Sequence, residues 1–179
     1  MLNEENATIL LIDVQEKLIP AISDSEALVS STAKLLAGAK VLGLPVIWCE
    51  QNPTRIGPTM PELTEHLEGF SPISKLCFSA LKSEEVKAQL QATGRNQVIV
   101  TGIEAHICVS QTVQELLQEG YEVHVAADCI SSRTAQNREI GLTKMLNAGA
   151  EITSVEAALF EMLGQAQGDK FKQILKIIK

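Results

Sequence analysis

The stretch Val98-Ile99-Val100-Thr101-Gly102-Ile103-Glu104-Ala105-His106-Ile107-Cys108-Val109 decides how this chain is read. Its opening is a short, β-branched apolar run of the kind that forms a strand buried on both faces. From Ser110 to Gln118 the pattern turns helical. Cys108 therefore stands where a strand ends and a helix begins. Terminal N–H groups and the positive end of a helix dipole favour negative charge there, which predicts a thiol biased towards thiolate. Asp13 ends a second apolar run, Thr8–Ile12, and Lys75 closes Ser71-Pro72-Ile73-Ser74-Lys75. An acid, a lysine and a cysteine would make a complete apparatus for nucleophilic hydrolysis.

Working outward, apolar runs recur at Pro45–Cys49, Ile73–Phe78, Gln97–Thr101, Glu122–Ala127 and Glu151–Thr153. Helical patterns lie between them. Ser23 and Glu26 read as a Ser-x-x-Glu capping box, and Leu28, Leu35, Leu36 and Ala39 as the apolar stripe that follows. Gly43 and Pro45 stop that helix. Further helices are expected over Glu84–Ala92, Val109–Glu119, Gln136–Asn147, Glu156–Leu163 and Lys170–Ile178. Strand–helix alternation predicts right-handed βαβ crossovers and an α/β fold with a mainly parallel sheet. Ligands in such folds bind beyond the carboxyl ends of the strands, and Asp13, Lys75 and Cys108 all lie at or near such ends.

Composition narrows the function. The 179 residues read as one domain, 1–179, with 45% hydrophobic and 21% charged residues. A net charge of -7 and 3% aromatic content argue against nucleic acid as a partner. No apolar run approaches the roughly 20 residues needed to cross a bilayer. The acidic start, Met1-Leu2-Asn3-Glu4-Glu5, lacks the basic region of a signal peptide. Four cysteines without a CxxC pair read as reduced thiols in a cytoplasmic compartment. No GxGxxG or Walker sequence appears, and the three histidines lack metal-ligand spacing, so neither cofactor nor metal is expected.

Each candidate also has a plainer reading. Asp13 could be a turn residue or helix cap, and Lys75 a solvated surface lysine. Cys108 could be a small buried hydrophobe, a description that suits Cys49, Cys77 and Cys129 better. His106 invites a dyad with Cys108, but residues two apart across a turn rarely aim at each other. His124 reads as a structural residue in a strand, and His66 falls in a polar helix or loop. Arg133 and Arg138 could hold a carboxylate, but surface ion pairs are the better account of them.

These residues together resemble the isochorismatase-like, or cysteine hydrolase, superfamily, and within it the type 2 isochorismatase domain-containing hydrolases. The likeness runs through Leu11-Ile12-Asp13-Val14-Gln15-Glu16, Glu50-Gln51-Asn52-Pro53, Gly57-Pro58-Thr59-Met60-Pro61-Glu62-Leu63 and Lys75-Leu76-Cys77-Phe78-Ser79. It continues through Gly102–Cys108, Asp128, Ser131-Ser132-Arg133 and Phe171-Lys172. The resemblance implies a three-layer α-β-α, Rossmann-like isochorismatase-like hydrolase fold with a six-stranded, mainly parallel sheet. It implies an Asp13–Lys75–Cys108 triad, a cis peptide between Ile103 and Glu104, and an oxyanion hole from the backbone N–H groups of Glu104 and Cys108. Gln15, Gln51, Arg55, Phe78 and His106 are the candidate substrate-pocket residues. Homo-oligomers are common in the family.

One departure bears on chemistry. Metal-dependent nicotinamidases of the superfamily carry an acid and histidines after the second strand, where this chain reads Glu50-Gln51-Asn52-Pro53-Thr54-Arg55. Arg55 replaces the family's usual glycine, and could narrow a pocket, attract an anion or face solvent. The leading expectation is a hydrolase cutting an amide or related C–N bond of a small molecule through a thioester. The alternatives are a catalytically silent interaction protein and a thiol redox sensor.

Overall fold

The computed structural model describes residues 1–179. Six strands, β1 (Ala7–Ile12), β2 (Val46–Gln51), β3 (Ile73–Lys75), β4 (Gln97–Ile103), β5 (Glu122–Ser131) and β6 (Glu151–Thr153), form one sheet in the order β3-β2-β1-β4-β5-β6. Every neighbouring pair is parallel. The helices are α1 (Ser25–Leu42), α2 (Pro53–Ile56), α3 (Pro61–Thr64), α4 (Glu84–Thr93), α5 (Ser110–Gln118), α6 (Ala135–Asn147), α7 (Val155–Leu163) and α8 (Gly168–Ile178).

Alternation along β1 explains the layers. Ile9 and Leu11 join a core with Leu35 and Leu36 of α1, Leu159 of α7 and Ile174 of α8. Leu10 and Ile12 point the other way, into a core with Leu90 of α4, Leu116 of α5 and Met145 of α6. Helices thus cover both faces, as continuous apolar strands require.

Strand order reverses between β1 and β4, and the crevice at that switch lies beyond Ile12 and Ile103. The two strands come unusually close there. Gly102 has φ +122°, and a Cβ on it would lie 1.9 Å from the Ile12 carbonyl oxygen. Only glycine permits that approach.

Four expectations change. Ser23 does not cap α1; its hydroxyl donates to the Ser132 carbonyl at 2.9 Å, tying the helix entry to the end of β5. Asp24 takes the N-cap position in a left-handed conformation, without a side-chain cap. β3 ends at Lys75 rather than Phe78, because the Lys75 ammonium draws the chain back through the carbonyls of Cys77 (3.2 Å) and Phe78 (3.3 Å). Cys77 is consequently half-buried in a loop, not embedded in a strand. The expected helix from Val109 is preceded by a wider π-type turn, Ala105–Val109, that holds Cys108.

Candidate active site

Three strand ends deliver the central residues. Asp13 follows β1 with φ +56°, a left-handed turn that ends the strand. Lys75 is the last residue of β3, and Cys108 sits in the π-type turn after β4. π turns concentrate at functional sites in proteins generally. The peptide between Ile103 and Glu104 is cis. All three side-chain-bearing residues are nearly enclosed, with 1%, 3% and 8% exposure for Asp13, Lys75 and Cys108.

The Lys75 ammonium is fully engaged. It donates to Asp13 Oδ2 at 2.6 Å and to Gln51 Oε1 at 2.8 Å, besides the two loop carbonyls. Gln51 in turn donates from Nε2 to the Leu76 carbonyl at 2.9 Å. Asp13 Oδ1 is buried with no N–H or O–H partner. The Cys108 thiol lies against the same carboxyl, close enough for a loose S–H···O contact. The Glu104 N–H faces the Cys108 sulfur and makes no backbone hydrogen bond.

Burial dominates the electrostatics. Desolvation raises the Asp13 carboxyl above its ordinary value, against the opposing pull of Lys75. Cys108 is pushed up to about 12, first by burial and then by the charge of Asp13, with Lys75 opposing. The expected bias towards thiolate is therefore reversed in the resting protein. A helix start favours the anion, but an enclosed sulfur beside a carboxylate loses more than it gains. Cys49 and Cys129 are driven higher still by burial.

The remaining candidates fall in different places. Gln15 is fully buried, and its amide is consumed by backbone: Nε2 donates to the carbonyls of Gln51 (3.0 Å) and Gly57 (2.6 Å), while Oε1 accepts from Gln51 N–H (2.7 Å). It locks the end of β2 to the following loop. Arg55 is exposed on α2, where its carbonyl accepts from Lys17 at 2.9 Å. Phe78 is 56% exposed and Leu76 75%, making an apolar lip beside Lys75. His106 pairs through Nδ1 with Ser132 Oγ at 3.0 Å and makes no hydrogen bond to Cys108. His124 is buried, and burial lowers its pKa despite Glu151 at 3.4 Å. Glu50, the next-to-last residue of β2, is spent on Thr59, whose N–H and hydroxyl donate at 2.7 and 2.8 Å. No three His, Cys, Asp or Glu side chains converge as metal ligands.

Sequence reasoning missed two supports of the Cys108 turn. Glu104 Oε2 accepts from Arg133 through both N–H (3.1 Å) and Nε (3.0 Å), joining the turn to the loop before α6. Gly141 of α6 packs on the turn itself; a Cβ there would lie 2.7 Å from the Ala105 carbonyl carbon and oxygen. A glycine inside a helical pattern was the available signal. Arg138 is held by the carbonyls of Ala127 (2.5 Å) and Ile130 (3.1 Å) and by Glu139 (3.0 Å).

Comparison with known proteins adds to this geometry. Residues 7–157 match the isochorismatase domain. An isochorismatase domain-containing protein 2 from Xenopus laevis is 39% identical, covering 99% of this chain and 85% of its own length. The structure of MAR1 ribonuclease from Caenorhabditis elegans superposes with TM-score 0.94 at 34% identity, covering 99% of this chain and 91% of that one. YcaC from Pseudomonas aeruginosa, solved with covalent acrylamide, gives 0.93 at 25%, covering 98% and 90%. The Escherichia coli YcaC product, described as an octameric hydrolase of unknown specificity, shares the fold at TM-score 0.94 and 24% identity, covering 99% and 88%.

Proposed function

Since the chain belongs to the isochorismatase domain family, a hydrolase-type activity follows, and we propose that it is exerted by Cys108 on an amide or related C–N bond of a small molecule. The observation that carries this reading is the enclosed cluster of Cys108, Asp13 and Lys75, with Asp13 Oδ1 left unpartnered beside the thiol.

The raised thiol fits a base-assisted attack. Burial is the first obstacle to ionising Cys108, and the negative charge of Asp13 is the second. If Asp13 takes the thiol proton, that charge disappears in the same step, and Lys75 is left to stabilise the new thiolate. The site's net charge does not change, so the pair titrates as a unit. The thiolate attacks the carbonyl carbon, and the oxyanion meets the N–H groups of Glu104 and Cys108. Asp13 returns the proton to the leaving amine as the C–N bond breaks. Water, deprotonated by Asp13, then cleaves the thioester and restores the thiol. Gln51 and the loop carbonyls hold Lys75 in place, which makes them positioning groups.

The covalent acrylamide on the Pseudomonas relative fits a nucleophilic group in that protein, since the alkene of acrylamide is a conjugate acceptor. The Caenorhabditis relative is named a ribonuclease, which favours a different substrate. Against RNA stand the net charge of -7 and a buried lysine already spent on Asp13. An Escherichia coli relative described as octameric favours homo-oligomers here as well.

The test is a screen of small amides and of RNA with wild type, Cys108→Ala and Cys108→Ser, with intact-mass detection of an acyl-enzyme. Amide turnover and an acyl adduct, both lost in the variants while circular dichroism is unchanged, are expected. Full amide turnover in both variants sinks the nucleophile. RNA cleavage that survives in them would replace the reading altogether.

A further inference from the structure

Lys75 ends β3, while Cys108 follows β4, and β2 and β1 lie between those strands in the sheet. No strand pairing therefore fixes the lysine against the cysteine directly. One side chain does join their two segments. Thr112 of α5 is fully buried. Its hydroxyl donates to the Cys108 carbonyl at 2.7 Å and accepts from the Ala80 N–H at 2.9 Å.

The first bond is the ordinary back-bonding of a helical threonine to the residue four before it. The second is long-range. Ala80 opens a short 3-10 turn, Ala80–Lys82, directly after the loop that holds Lys75. An N–H at the start of a helical turn has no partner inside that turn, and here Thr112 supplies one. Glu115, on the same helix, clamps the same segment: it accepts from the Ser79 hydroxyl at 2.7 Å and pairs with Lys82 at 3.2 Å. Just before Ser79, the Cys77 and Phe78 carbonyls accept from the Lys75 ammonium. The contacts thus run from the Cys108 carbonyl through Thr112 and the Ala80 segment to Lys75. Asp13 stands outside this chain, at the end of β1, which pairs with β4 along its whole length.

We propose that Thr112 is a positioning residue, whose hydroxyl sets the Lys75 loop against the Cys108 turn and so places the ammonium relative to the thiol. The proposal rests on the reading of Cys108 as the nucleophile and adds to it a residue that touches neither the thiol nor the ammonium.

Thr112→Val keeps the shape of the side chain and removes both hydrogen bonds, whereas Thr112→Ser keeps the hydroxyl. In the valine variant kcat for amide hydrolysis should fall about tenfold, since displacement of about 1 Å can cost 10²-fold. KM should stay within about twofold of wild type. Lys75 opposes the upward push on the thiol. Its displacement should therefore slow alkylation of Cys108 by iodoacetamide about threefold or more at every pH below about 10. Thr112→Ser should recover both rates. If Thr112→Val does not fold, Ala80→Pro removes the same N–H from the other side, at a first-turn position that accepts proline after the extended Ser79. A valine variant that melts lower yet keeps wild-type kcat and alkylation shows a residue that only packs, and overturns the proposal. So does a serine variant that recovers neither rate. Alkylation needs no turnover, which separates the two readings. Full hydrolysis in Cys108→Ala would sink the nucleophile, while slowed alkylation in Thr112→Val restored in Thr112→Ser would still uphold the positioning.

Discussion

At the amino-terminal end of the sheet, Gln97 satisfies its whole amide. Its Oε1 accepts from Asn3 N–H at 2.9 Å, while Nε2 donates to the Met1 carbonyl (2.9 Å) and to Glu122 (2.8 Å). Arg95 beside it holds the carbonyls of Glu4 and Ala7 at 2.8 and 2.7 Å. At the carboxyl end, the polar atoms are just as deeply placed, yet Asp13 Oδ1 is left without a partner. Buried polar groups are ordinarily paired, because an orphan costs about 1–3 kcal/mol. The Gln97 and Arg95 network therefore serves architecture; the amino-terminal end also leaves one atom unpartnered, the neutral Thr8 hydroxyl of β1, whereas the carboxyl end keeps a carboxylate oxygen open beside a thiol. On the proposed chemistry, the difference separates polar residues that hold a fold from a carboxylate left free to take a proton.

The strongest way to break that comparison is Asp13→Asn. With the proton acceptor gone, hydrolysis should fall by about 10²–10⁴-fold. Lys75 would also be left buried without its counter-ion, costing about 3–5 kcal/mol of stability. The discriminating readout is alkylation of Cys108 by iodoacetamide, followed by peptide mass spectrometry to separate it from half-buried Cys77. In wild type the thiol is held near 12. Its alkylation should therefore climb about tenfold per pH unit through the range where a free thiol levels off, near pH 8.5–9. Asp13→Asn removes a charge that raises the thiol, so alkylation at a given pH should become faster while hydrolysis collapses. A folded variant in which both rates fall would reduce Asp13 to a structural residue. A wild-type thiol that levels off near pH 7 would restore the resting thiolate expected from the helix start.

A milder break acts through the scaffold. Gly141→Ala drives a methyl group into the Ala105–His106 backbone, at distances of 2.7–2.8 Å. Overpacking of this kind costs about 1–3 kcal/mol. Because the backbone that must yield carries Cys108, turnover should fall more than the loss of stability alone explains. Thermal unfolding and kcat measured on the same preparation check this. A destabilised variant with full kcat would show that the turn tolerates displacement.

Two of the candidate site's residues were legible in the sequence because they follow apolar runs of strong strand character, Asp13 after Thr8–Ile12 and Cys108 beyond Gln97–Thr101, whereas Lys75 fell inside the expected run Ile73–Phe78. Strand-end position is a local property that hydrophobic patterning reports. Parallel order and the layers followed from strand–helix alternation. What patterning could not report was anything set by a distant partner. Ser23 looks like a cap until Ser132 claims its hydroxyl. β3 looks long until the Lys75 ammonium pulls back the carbonyls of Cys77 and Phe78. The thiol of Cys108 looks lowered until burial, and then the charge of Asp13, raise it. Gln15 is a candidate pocket residue beside the family resemblance, yet both ends of its amide are taken by backbone.

The smallest effect is expected where the surface looks most like a ligand site. A cavity of about 520 Å³ opens between the end of α1 and the segment before β3, lined by Leu36, Lys40, His66, Phe70 and Arg95 among others. Its volume falls in the range of small-molecule pockets. Two of its charged groups, however, are either exposed or already used. Lys40 meets Glu68 only at 3.8 Å with both side chains largely in solvent, and Arg95 is bound to backbone carbonyls. Exposed ion pairs of this kind contribute about 0–1 kcal/mol. Lys40→Ala should accordingly leave kcat/KM unchanged and shift stability by no more than about 0.5 kcal/mol. Should amide turnover drop in that variant, size would have outweighed hydrogen-bond satisfaction as the mark of the working end, and the contrast between the two ends would fail.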